Sequence, residues 1–287
     1  MRKPWKEAGL GLLNLVVVIF VVVAVQPLLH RFFSDAVGAA VLALLVLATY
    51  IAASRWIEQR ALSELSISHL LPETAGGFAG GLALFATVIA ILWIAGVYHP
   101  GGRGAAIGLA SGFAAAVAAG VVEEILFRGL LFRLISKIVG TWGALLLTAT
   151  LFGAAHAFNH GATFGSSLAI ALEAGVLLGA AYAATQRLWV PIGLHIGWNF
   201  AEGSIFSMSV SGNTVKEGLF RGSLSGPQFL TGGQFGPEAS IVAVIVCMAA
   251  ALYFIRRMVK RHLTEPPAWS KQQPASTATA MATEPQS

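Results

Sequence analysis

The sequence predicts an all-α, polytopic membrane protein with about eight transmembrane helices. Three observations lead there. Of 287 residues, 56% are apolar and only 11% charged, with a mean hydropathy of +0.75, whereas soluble domains carry about a quarter charged residues. Apolar runs near the ~20 residues that cross a bilayer recur with little between them. None alternates as a barrel strand would, and lipid offers no water to unpaired backbone groups, so the runs are helices. This balance excludes an ordinary soluble enzyme and a disordered chain. The 18 Lys+Arg exceed the 13 Asp+Glu, but they flank apolar runs instead of forming one polar patch, so they mark topology and no nucleic-acid partner is expected.

In chain order, the expected spans are Gly9 to Leu29, Ala36 to Ala53, Gly76 to Val97, Ala105 through Val122, Thr141 to Phe158, Ser166 to Thr185, Val190 to Met208 and Ser240 to Ile255. Arg2, Lys3 and Lys6 precede the first run as in a signal peptide, but the run is long and no small-residue cleavage site follows, so it is kept as a span. Eight spans put both termini on one side. That side carries Arg2, Lys3, Lys6, Arg55, Arg60, Arg133, Lys137, Arg187, Arg256, Arg257, Lys260, Arg261 and Lys271, thirteen of the 18 basic residues. Arg31, Arg103, Lys216 and Arg221 lie opposite, and Arg128 lies within a span. Positive charge stays inside, so the termini are expected in the cytoplasm of a multi-pass cell-membrane protein. Trp5, Trp56, Trp142 and Trp189 fall near span ends, as interfacial anchors do. Residues 1–263 form the expected membrane domain. The Pro-, Ser-, Thr- and Gln-rich stretch 264–287 reads as a disordered cytoplasmic tail. The single cysteine, Cys247, lies in an apolar run and makes neither an internal disulfide nor a multi-cysteine metal site.

The fourth run continues past Val122 through Glu123, Glu124, Arg128, Arg133 and Lys137, with no breaker before Gly140. A carboxylate in hydrocarbon costs several kcal/mol. Glu124 and Arg128, four apart on a helix, can face each other, which leaves Glu123 free to face something else. Like charge and burial raise a carboxyl's pKa while Arg lowers that of its partner, a split of environments that separates a base from a structural acid. If the helix turns back near Gly140, residues equidistant from it lie opposite each other. That brings Glu123 to His156, a pair able to hold and deprotonate water. In the seventh span Pro191 suits a helix start. His195 and Asn199 follow on one face, two donors able to meet a developing oxyanion. Glu202 shares that face approximately, and Glu173 is a further intramembrane carboxylate without an obvious partner. His160, four after His156, imitates half of a metal site but lacks the companion Glu motif.

At these residues the chain resembles the CAAX protease and bacteriocin-processing family of intramembrane glutamic endopeptidases, also called the ABI or type II CAAX protease family. VVEEILFRGLLF (121–132) carries E-E-x-x-x-R, LFGAAHAF (151–158) carries F-x-x-x-H, and GLHIGWNF (193–200) carries H-x-x-x-N. TGGQFGPEAS (231–240) is similar to a Gly-rich element of bacterial members. The resemblance implies an eight-helix fold with a site open to the cytosol. It implies Glu123 as the water-activating base with His156, Arg128 as partner of Glu124, and His195 with Asn199 as oxyanion stabilisers. It assigns nothing to Glu173 or Glu202.

The expected function is hydrolysis of a membrane-associated peptide or protein substrate, with the bilayer as the other partner and with no cofactor or metal. Two alternatives stand beside it. Glu123 or Glu124 with His156 and His195 would make a zinc set with an open position, although Arg128 beside a dication is repulsive. A transporter or immunity-type protein would use the same charges as a proton relay.

Overall fold

The computed structural model describes residues 4–272. Arg2, Lys3, the side chain of Trp5 and residues 273–287 of the expected tail lie outside the described residues. Helices dominate: α1 (Pro4–Phe32), α2 (Asp35–Trp56), α3 (Ile67–Ile94), α4 (Leu109–Glu124), α5 (Arg133–Ala155), α6 (Phe164–Ile170), α7 (Leu177–Thr185), α8 (Trp189–Phe200), the short α9 (Gln228–Thr231) and α10 (Ile241–Lys260). Three π-helical segments continue α4, α6 and α8: Ile125–Phe132, Ala171–Val176 and Ala201–Ile205.

Six helical stretches among the described residues are long and apolar enough to cross a membrane, not the eight expected. The difference arises at two places. Leu109–Phe158 is a single stretch of 50 residues, but Gly140 within it has φ 76° and ψ 175°, where the chain reverses. Glycine alone takes this conformation without strain. The two limbs fold back on each other, with the rings of Phe127 and Phe152 4.9 Å apart. The second place is α8, whose 12 residues and the five of its π turn lie at the short end of the lengths that cross a bilayer.

Small residues let α8 press against α3. Gly77 and Gly81 face Gly193 and Gly197, and a Cβ at Gly81 or Gly197 would overlap the carbonyl oxygen of Leu194 or Phe78. Such four-residue glycine spacing is how helices approach closely in lipid, where hydrophobicity does not drive them together. The α2–α3 connector is locked in place. Arg60 pairs with Glu64 at 2.6 Å, Tyr50 Oη donates to Glu64 at 2.6 Å, and Arg133 reaches Glu58 at 2.8 Å. Leu188 N–H donates to the Glu64 carbonyl, so the α7–α8 turn sits on this connector. Trp189 is buried there and donates through Nε1 to the Ser66 carbonyl at 2.9 Å. It is a packing residue, whereas Trp56 and Trp142 are exposed.

A two-stranded antiparallel ribbon, β1 (Tyr98–Arg103) with β2 (Phe220–Leu224), joins the loops at the other end of the bundle, a departure from a purely helical chain. Its strands are too short and glycine-rich to show an alternating pattern. Beyond α10 the chain returns to the Gly140 turn, where Thr141 N–H donates to the Glu265 carbonyl and Glu265 N–H to Thr141 Oγ1. The first residues of the segment expected to be a tail thus strap the hairpin.

Candidate active site

The buried centre of the bundle is built around Arg128. Its Nη1 donates to Glu124 Oε1 at 2.8 Å, with both side chains fully buried. Its Nη2 donates to the carbonyl oxygens of Ala174 and Gly175 at 3.2 and 3.1 Å. Those carbonyls belong to the second π segment, where the widened turn departs from the regular helical ladder. Phe152 lies under the guanidinium, 4.8 Å from Cζ to the ring centre, and stacks on His156 at 4.7 Å. The F-x-x-x-H spacing thus sets one aromatic platform between a cation and an imidazole.

The two histidines present the same nitrogen to Glu123. His156 Nδ1 lies 2.8 Å from the Phe152 carbonyl, which can only accept, so Nδ1 carries the proton. His195 Nδ1 lies 3.0 Å from Glu124 Oε1 and donates to it in the same way. Each ring therefore turns its Nε2 toward Glu123 Oε2, at 3.9 Å in both cases. That distance is too long for a direct hydrogen bond and suits one bridging water. Glu123 Oε2 is buried and has no hydrogen-bond partner among the described residues. The adjacent carboxylates thus have different surroundings: Glu124 is held by Arg128 and His195, and Glu123 is available. The commitment of Nδ1 sets a condition on the expected donor pair. His195 Nε2 can donate only when the ring is an imidazolium.

Two cavities reach this cluster. One is lined by His156, His195, Trp198, Asn199, Glu173 and Glu238, among others. The other is an apolar groove between α1, α2 and α4 that includes Val22, Leu42, Ala119 and Glu123. The histidines face the first and Glu123 the second. Asn199 makes no hydrogen bond among the described residues, and its amide borders the first cavity. Glu173 lies on the second π segment and Glu202 on the third, both buried. They are not part of the Glu123 cluster.

Two cavity residues are not among the candidate site residues read from the sequence. Trp198 Nε1–H is buried without an acceptor, although from sequence Trp198 is one more aromatic in an apolar span. Glu238 sits inside TGGQFGPEAS, where a carboxylate directly ahead of an apolar run was the available signal. Burial pushes its carboxyl above the usual carboxylate range, against the opposing pull of Glu202, Ser211 and His156. Glu202 lies beside Glu238, neither Glu202 oxygen reaching hydrogen-bond geometry with a partner. Among the described residues no three His, Cys, Asp or Glu side chains are grouped to hold a metal ion.

Residues 105–201 match the family model described as Type II CAAX prenyl endopeptidase Rce1-like. The match covers about a third of the chain and contains all three motifs, so the resemblance seen in the sequence is borne out. It points to a membrane protease. No curated protein and no solved structure matches the chain.

Proposed function

We propose that this chain, which shares the motif-bearing segment of the type II CAAX endopeptidases, is an intramembrane peptidase of the glutamic type. The observation that carries the reading is the convergence of two Nε2 atoms on Glu123 Oε2, each at 3.9 Å. Glu123 removes a proton from a water held against His156, and the resulting hydroxide attacks the peptide carbonyl carbon. The oxyanion accepts hydrogen bonds from Asn199 and from His195 as imidazolium, whose charge Glu124 balances. Glu123 then returns the proton to the departing amine as the C–N bond breaks, so one water is consumed and no acyl-enzyme forms. Glu124 and Arg128 hold His195 in its tautomer.

Eight crossings complete this reading. They are the six long stretches, with Leu109–Phe158 counted twice because it reverses at Gly140, and α8 with its π turn. The basic residues near Arg60, Arg133 and Arg187 support a cytoplasmic position for both termini and for the near end of the site. The apolar groove that ends at Glu123 supports entry of a membrane-associated substrate from between α1, α2 and α4.

The test is peptide cleavage by detergent-purified protein, with and without exhaustive chelation. Activity that survives chelation and vanishes in Glu123→Gln is expected. Activity lost to a chelator and restored by zinc would favour the metal mechanism. Absence of cleavage by folded wild type, with transport or immunity abolished by Glu123→Gln, would favour the non-enzyme.

A further inference from the structure

The wall that Glu173 and Glu238 form in the cavity shared with His156 and His195 is unlike the rest of its lining. Glu173, Glu202 and Glu238 come together from three elements, the π segments after α6 and α8 and the turn Pro237–Ala239 before α10, and none is more than 3% exposed. Among the described residues no Lys or Arg pairs with any of them, in contrast to Glu124 with its buried Arg128. Cys247 and Glu238 lie beside Glu173, and Glu238 and Glu173 beside Glu202. Glu238 Oε1 borders the cavity, buried and without a hydrogen-bond partner. A buried carboxyl is tolerated when it is paired or keeps its proton, and a cation brought into the cavity would give this wall the partner that the chain's own Lys and Arg do not. Leu84, Leu177 and Leu178 line the same cavity. An apolar lining beside carboxylates matches a long aliphatic stem with a cationic tip.

We infer that Glu173 and Glu238 form a subsite for the side chain of a Lys or Arg residue of the substrate, beside the peptide bond presented to His156, His195 and Asn199. This rests on the peptidase reading above and specifies its substrate as basic next to the cleaved bond. Glu202, behind Glu238, positions it and does not touch the substrate.

The experiment first locates the cut made by wild-type protein in a peptide pool by mass spectrometry, then compares Lys with the uncharged, similarly long norleucine at the two residues on either side. At one position the kcat/KM ratio of Lys to norleucine should be at least about tenfold, the lower end of what one recognised group contributes. It should fall to near one in Glu238→Gln with Glu173→Gln. Glu238→Asp, which keeps the charge, should retain part of the preference and guards against misfolding of the amide variants. Binding of the same two peptides to Glu123→Gln protein, read as a Kd ratio, should show the same preference without turnover. A ratio near or below one at every position in wild type overturns the inference, as does a preference that persists in the amide variants. An equal loss for both peptides in Glu238→Gln would assign Glu238 to the common chemistry and also overturn it. In each of these cases, cleavage of the norleucine peptide that stops in Glu123→Gln leaves the peptidase reading standing. If folded wild type cleaves nothing in the pool, the peptidase reading fails and this inference with it.

Discussion

Glu123 and Glu124 differ by one position in the chain and share His195, but Arg128 pairs with Glu124 alone. Glu123→Gln keeps size and hydrogen bonding but removes the base, so cleavage should fall by about 10²- to 10⁴-fold with little change in thermal unfolding. Arg128→Ala has the opposite profile. It strands Glu124 and two carbonyls in a dry interior, and breaking a buried pair costs about 3–5 kcal/mol. The variant should be recovered in low yield, with a lowered Tm and no activity, as thermal unfolding in detergent would show. Asn199→Ala should lower kcat by about 10²- to 10³-fold while leaving KM largely intact, because an oxyanion donor acts in the transition state. A rise in KM alone would make Asn199 a substrate-binding group. Charged residues inside apolar runs are conspicuous, which is why Glu123, Glu124, Arg128 and His156 were legible in the sequence. Trp198 is one apolar residue among many, and Glu238 lies in a loop whose return to the cavity is a tertiary fact.

The hairpin was legible because a glycine divides a run too long for one crossing, and the pairing about Gly140 follows from helical rise. The three π segments were not. A π turn differs from an α turn by a single inserted residue, and its cause lies in contacts such as Arg128 with the carbonyls of Ala174 and Gly175. The contact of α3 with α8 was hidden for another reason: the glycines on each helix gain meaning only once the other helix is known. That contact sets where His195 sits, since Gly193 and Gly197 flank it. Gly197→Leu should force the helices apart, and a displacement of about 1 Å at reacting groups can cost roughly 10²-fold in rate. Loss of activity together with a lowered Tm is expected. Full activity would show that α8 is positioned by other contacts.

At the scale of the molecule the testable quantity is sidedness. A cysteine introduced at the exposed Ser63, in a Cys247→Ser background, should react with an impermeant probe from the cytoplasmic side alone. Reaction from outside would invert the proposed topology.

The shortness of α8 has an electrical meaning. In the proposed topology His195 lies six residues into α8 from Trp189, about 9 Å along the helix, which is less than half of a ~30 Å hydrocarbon core. Moving one charge through the whole membrane field is worth about 2.3 kcal/mol per 100 mV. A proton or imidazolium formed at His195 therefore feels only about 1 kcal/mol of it, and turnover in proteoliposomes should change by no more than about fivefold per 100 mV of imposed potassium diffusion potential. A site reached through the full thickness would change by up to about fiftyfold, so the voltage response measures how far from the nearer aqueous phase the reacting charge lies.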